Sequence, residues 1–210
     1  TEIYTLSLHD ALPICGCHHR LELQRGIQRE QRGEYAEGFR HDGRRFNLTL
    51  NGGFLLAESV GSVFAMTLDG GSQLVNPSTT VKHIGQYGTG TMTIHGGSAV
   101  QFGNAITYVG YRTGTGVLNV VNGTFSNAGE LRVGGSDVNG TLNAKGTLTV
   151  SGGTVSLGAL TLARGNNNQN TASGEATVSG GTLVCTNDLV LGYAGFNNLG
   201  KLTVRGGIVN

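Results

Sequence analysis

The sequence predicts an all-β fold: a parallel β-helix, or solenoid, of three-strand coils about 26 residues long, truncated at both ends. Three observations carry this reading. A short phrase, apolar–Thr–apolar–x–Gly/Asn–Gly, returns from Phe46 onward. Glycine makes up 37 of 210 residues, far above its ordinary share, yet with only two prolines and no third-residue period, so a collagen triple helix is excluded. Charge is sparse where the phrase recurs: 14 charged residues fall in positions 1–45 and only 13 in the remaining 165. A hydrophobic fraction of 38% with a net charge of +1 excludes a disordered chain. No apolar run reaches the ~18–20 residues of a membrane-spanning helix.

The chain divides into three parts. Residues 1–14, TEIYTLSLHDALPI, resemble one reading frame of a common short-read sequencing adapter and are set aside from fold reasoning. Residues 15–45 form an Arg-rich polar flank without helical or strand period, expected to be out of frame or disordered. Its Cys15, Cys17, His18 and His19 are metal-ligand types, but the spacing is not that of a zinc site. Its seven arginines are balanced by the seven acids of residues 1–45, which argues against a nucleic-acid patch. Residues 46–210 are the repeat domain.

Seven copies of the phrase are legible: Leu48–Gly53, Met66–Gly71, Met92–Gly97, Leu118–Gly123, Leu148–Gly153, Ala176–Gly181 and Leu202–Gly207. Their first turn residues are 18, 26, 26, 30, 28 and 26 positions apart. The turn glycines are Gly52, Gly70, Gly96, Gly123, Gly152, Gly180 and Gly206. Within a copy, strand alternation puts Leu148 and Val150 on one face and Thr149 on the other. The Gly-Gly corner ends this first segment, since glycine enters φ > 0 without a Cβ clash. A second segment follows at once, as in Thr154–Ser156 or Thr182–Cys185. A third ends near glycine, as in Thr107–Gly110, Leu131–Gly134, Leu160–Leu162 and Leu189–Gly192. A loop then leads to Gly90, Gly116, Gly146, Gly174 or Gly200, two places before the next copy. Three short strands in ~26 residues fit a solenoid coil rather than a propeller blade, which needs four strands and ~40–45 residues. The length variation lies mainly in the loop after the third segment, longest at Gly135–Lys145 and Arg164–Ser173.

Stacking turns equivalent positions into columns. The outward Thr49, Thr67, Thr93, Asn119, Thr149, Thr177, Thr203 column has an irregular neighbour, so it makes no regular ice-binding face. Asp69 and His95 are expected to be adjacent and form a surface ion pair. Ser151 lies too far from His95 to be a nucleophile. The six acids of the repeat, Glu58, Asp69, Glu130, Asp137, Glu175 and Asp188, fall in different columns, so no catalytic residues, no metal site and no cofactor are assigned and the chain is read as not an enzyme. Cys185 is expected to be a small buried hydrophobe. Tyr87, Tyr111 and Tyr193 are expected to form a structural aromatic ladder. The residues offered for ligand binding are Tyr193, Phe196, Asn166, Asn167 and Asn168.

The Leu-Thr-Val-x-Gly-Gly phrase, with its paired Leu-x-Leu-Gly run, resembles the autotransporter-associated β-strand repeats over residues 46–210. These occur in autotransporter passenger domains and in large secreted bacterial proteins with a Pro-Glu-Pro sorting signal. The resemblance implies an exported, extracellular or outer-membrane-surface fragment acting as an adhesin-like structural scaffold. Its partners would be further coils of the full-length protein and surface or extracellular glycans, with no nucleic acid and no membrane insertion by this fragment. The alternative is a carbohydrate-active or glycan-binding β-helix whose active coils lie largely outside the fragment.

Overall fold

In the computed structural model the described residues are 47–138, 143–166, 171–194 and 197–210, with the backbone of 7–8. Among them all regular structure is β-strand. The strands form three rows. The first is a six-stranded parallel sheet of Val63–Leu68, Thr89–Ile94, Thr115–Val120, Lys145–Val150, Ser173–Val178 and Leu199–Val204. The second holds Asn47–Leu50, Gln73–Asn76, Ala99–Phe102, the first parts of two long strands, then Thr182–Cys185 and Ile208–Val209. The third holds Phe54–Leu56, Lys82–Ile84, Thr107–Tyr111, the second parts of the long strands, and Leu189–Tyr193. The long strands, Thr124–Gly135 and Thr154–Arg164, run through the corner between rows two and three and join them into one sheet. The bend falls where the register shifts between Asn127 and Glu130. A further two-residue strand, Ser7–Leu8, pairs with Thr49 and Leu50. Every pairing is parallel, each strand lying beside its counterpart one coil away. This is a β-solenoid of about six coils.

One copy of the phrase sits in a different row from the others. Leu48 and Thr49 pair with Leu74 and Val75, so Leu48–Gly53 belongs to row two, whereas Met66–Gly71 belongs to row one beside Met92. The spacing of 18 is therefore a step between rows, and the true coil repeat there is 26, from Asn47 to Gln73. A short alternating strand before a Gly-Gly corner looks the same in either row. The outward threonine column loses Thr49 but is otherwise in register from Thr67 to Thr203. Length also varies at a second place: five residues, 77–81, loop out between rows two and three in one coil, where two other coils run straight through.

The interior is a set of apolar columns. Leu68, Ile94, Val120, Val150 and Val178 close row one with no exposed surface. Val100, Phe125, Val155 and Leu183 do so in row two, where the Phe102 and Phe125 rings meet edge-on at 5.6 Å. Burying each such side chain contributes roughly 1.5–3 kcal/mol. Cys185 takes the place of Leu157 in its column, half-buried against this core. Burial raises its thiol pKa.

Four polar residues interrupt the columns; the first, Asn76 beside Phe102, donates its Nδ2 to the Gly52 carbonyl at 3.0 Å. Lys82 points inward with its Nζ donating to the carbonyls of Ser78 (2.8 Å) and Thr80 (3.0 Å), and its charge faces the Phe102 ring. Thr107 follows it in the same column. Asn127 stands between Phe102 and Leu157 with no exposure, and neither its amide nitrogen nor its oxygen has a hydrogen-bond partner. An unmet buried polar group costs ~1–3 kcal/mol. Asn127→Leu is therefore expected to raise stability by about 1–3 kcal/mol, read as a higher urea midpoint at unchanged slope. A lowered midpoint would show that a buried water satisfies the amide.

Candidate functional site on the loop flank

The second residues of the row-three strands form one column: Leu55, His83, Tyr108, Arg132, Thr161 and Val190. They point away from the core, yet Tyr108, Arg132 and Thr161 are only 1%, 6% and 4% exposed. The cover comes from the chain beyond the strand. At Gly110 the backbone turns left-handed, with φ +78°, and Tyr111 is set on the same side as Tyr108. The Tyr111 ring stacks on His83 at 4.6 Å and meets the Tyr108 ring at a tilt, 4.3 Å between centres. One coil later, after Gly134, Asp137 folds back over the same face.

Arg132 is the hub. Its Nε and Nη2 meet Glu130 Oε2 at 2.8 and 2.7 Å, and its Nη1 donates to the Tyr108 hydroxyl and lies 3.5 Å from Asp137 Oδ2. Thr161 Oγ1 donates to the other Glu130 oxygen at 2.6 Å, and the Tyr111 hydroxyl donates to Asp137 Oδ1 at 2.8 Å. Burial by itself raises the pKa of both carboxyls. Hydrogen bonds from Arg132 and Thr161, and the charge of Arg132, outweigh this at Glu130 and hold it below the ordinary range. At Asp137 the two tyrosine hydroxyls and Arg132 do the same. Burial, then the Asp137 carboxylate, pushes both tyrosine hydroxyls up, so they stay protonated donors. The cluster binds a loop to a sheet, and each of its carboxylates is already engaged by the protein.

His83 gives this face an acid response. Burial, then the positive charge of Arg112, lowers its imidazole pKa to about 4, with Asp137 opposing. The unfolded imidazole titrates near 6.5. As pH falls below ~6.5 the unfolded chain binds the proton first, so His83 contributes stability above 6.5 that is lost towards pH 4. Glu130 and Asp137, both lowered, are stabilising above their unfolded values and add to the loss at still lower pH. Stability is expected to fall between pH 7 and 4, by up to on the order of 3 kcal/mol from His83 alone. His83→Phe keeps a ring against Tyr111 and should flatten the limb between pH 6.5 and 4.5 in urea titrations. An equally steep limb in that variant would assign it elsewhere.

A second group lies further out on the same flank. The Arg112 guanidinium sits 5.2 Å from the Tyr87 ring centre and 5.3 Å from that of Tyr111. The Arg164 guanidinium sits 4.4 Å from the ring centre of Tyr193, which is 47% exposed. The three tyrosines do not stack on one another as a ladder. Tyr111 and Tyr193 share a column but are separated in it by Gly135 and Arg164, and arginine takes the interleaving place. Of the residues offered for binding, the structure puts Tyr193 beside Arg164 and has Asn166 Nδ2 donating to the Asp137 carbonyl at 2.9 Å. Asn167, Asn168 and Phe196 lie outside the described residues, as do Cys15, Cys17, His18 and His19.

The Asp69–His95 pair forms, Oδ1 to Nδ1 3.1 Å, on the opposite corner and largely in solvent. Gly70 and Gly96 are left-handed at that corner (φ 63° and 62°). Gly123, Gly152, Gly180 and Gly206 follow row one at the same corner, whereas Gly52 follows row two and accepts a hydrogen bond from Asn76. Among the described residues no three His, Cys, Asp or Glu side chains come together as metal ligands. No helix among them is long and apolar enough to cross a membrane.

The Arg132 hub escaped the sequence reading, which scattered Glu130 and Asp137 among columns. A signal existed: His83, Tyr108, Arg132 and Thr161 recur at the second place of the third segment. The return of Asp137 over that face had no such signal, because it belongs to a loop of irregular length. The molecule is thus a β-solenoid with one elaborated flank. No family description, curated protein or solved structure matches the chain.

Proposed function

We propose that this solenoid is a structural scaffold, part of an exported, adhesin-like bacterial surface or secreted protein. The observation that supports it is the register of row one. Six strands pair residue for residue from Val63–Leu68 to Leu199–Val204, while insertions are confined to corners and loops. Such a stack is stiff along its axis and tolerates loop variation on one side. Export and surface location follow from the resemblance of the repeats alone. Leu189 and Leu191, 39% and 51% exposed, continue the inward apolar columns of Leu160 and Leu162.

Two measurements test this. Duplicating residues 89–114, one coil, should lengthen the particle by ~4.8 Å in solution scattering and preserve cooperative unfolding. A collapsed or aggregated product would contradict a modular rod. Antibodies against the chain should label intact cells of the bacterium that encodes it. Signal confined to the cytosolic fraction would overturn the surface assignment.

A further inference from the structure

The loop flank carries a charge imbalance. The loops after row three between Gly110 and Gly200, with the strand residue that follows each, contain three cations, Arg112, Lys145 and Arg164, against one carboxylate, Asp137. That carboxylate is already held by Tyr111 and Arg132. Among the described residues neither Arg112 nor Arg164 has a carboxylate within ion-pair distance, and the Nε of each makes no hydrogen bond. Both guanidiniums instead lie over tyrosine rings, and although Arg164 also acts on Glu130 across space, that carboxylate is already held by Arg132 and Thr161.

Their spacing is set by the stack. Arg112 follows Tyr111, which pairs with Gly135, which in turn pairs with Arg164. The backbones of the two arginines are therefore two strand spacings apart, about 10 Å along the axis. One small anion does not span that distance. Gly135 carries no side chain between them. One coil beyond, the half-exposed Tyr193 ring offers a flat apolar face of the kind that packs on the C–H face of a sugar.

We propose that this flank binds an acidic polysaccharide lying along the solenoid axis, with carboxylates received by Arg112 and Arg164 and a sugar ring packed on Tyr193. A planar guanidinium matches a carboxylate in bidentate geometry. About 10 Å is close to two sugar units of an extended 1,4-linked chain, so acidic sugars would meet successive arginines. A nucleic acid is disfavoured because the chain as a whole is near neutral, without the basic excess that phosphate binding requires. The site adds a ligand to the scaffold and does not depend on where the protein is displayed.

The test uses the full chain and immobilised polygalacturonate, with fully methyl-esterified polygalacturonate and a single-stranded DNA oligonucleotide as comparisons. Binding to polygalacturonate, or to polymannuronate as a second uronate, is expected to weaken with added salt. Arg112→Gln and Arg164→Gln should each weaken it about tenfold or more. Tyr193→Ala should weaken it as well, whereas Arg205→Gln, on the opposite corner, should leave it unchanged. Circular dichroism of each variant confirms the fold. No binding to either uronate, equal binding to the esterified polymer or to DNA, or full binding by both folded arginine variants would overturn the proposal.

Discussion

Gly134→Val is expected to abolish cooperative folding. A Cβ built on Gly134 would lie 2.0 Å from the Ser173 carbonyl oxygen and 3.0 Å from the Gly174 nitrogen, both backbone atoms of the next coil. Neither can move without breaking the ladder that joins Lys145–Val150 to Ser173–Val178. The backbone there is also left-handed, with φ +67°, which costs an ordinary residue ~1–2 kcal/mol and a β-branched one more. Clash and strain together should exceed ~5 kcal/mol, comparable to the whole stability of many domains. Far-UV circular dichroism should lose its β signal, or the urea midpoint should fall beyond measurement. The same corner in the next coil carries Ala163 at φ 61°, and in the first coil Ala57 at φ 59°. A methyl is thus accommodated where neighbouring backbone leaves room, so Gly134→Ala should be milder than Gly134→Val. A valine variant with wild-type stability would mean the coils are not packed at this separation.

Arg132→Ala is expected to cost about 3–5 kcal/mol, the range for removing one partner of a buried ion pair. Its side chain is 8% exposed and joins Glu130, Asp137 and Tyr108. Without it, Glu130 keeps the Thr161 hydroxyl and the more distant charge of Arg164, and Asp137 keeps the tyrosine hydroxyls but no cation in contact. Arg132→Lys keeps the charge but loses the fork and should recover part of the loss. The combined Arg132→Met, Glu130→Gln, Asp137→Asn variant removes all three charges together. It should be far less destabilised than Arg132→Ala, because the penalty comes from stranded carboxylates rather than from the absence of attraction. If all three variants lose the same stability, the cluster acts by packing alone. Hydrogen exchange at Ser136–Val138 should rise in Arg132→Ala, since that segment is held to the sheet through Asp137.

The periodicity of the sequence was sufficient for the coil. Alternation of Leu148, Thr149 and Val150, a glycine corner, and a repeat near 26 residues leave few other ways to bury the apolar face, and parallel stacking is the one that pairs every strand. The row of a given phrase was less legible. Leu48–Gly53 and Met66–Gly71 carry the same local chemistry, and only pairing partners separate row two from row one. The inward Lys82 and Asn127 defied the pattern because the nearby carbonyls of Ser78 and Thr80 satisfy the first, while the second is tolerated unsatisfied.

The candidate site divides in the same way. Tyr193, Arg164 and the outward column of His83, Tyr108, Arg132 and Thr161 are fixed by strand register, so their positions follow from the sequence once the coils are aligned. Burial of those outward residues, the convergence of Glu130 and Asp137 on one guanidinium, and the seating of Arg112 and Arg164 on tyrosines depend on the loops after row three. Strand register repeats and can be read from one chain, because the backbone ladder repeats it in every coil. Loop paths do not repeat, because each is decided by contacts with the coils above and below, and that is where this protein's distinctive chemistry is assembled.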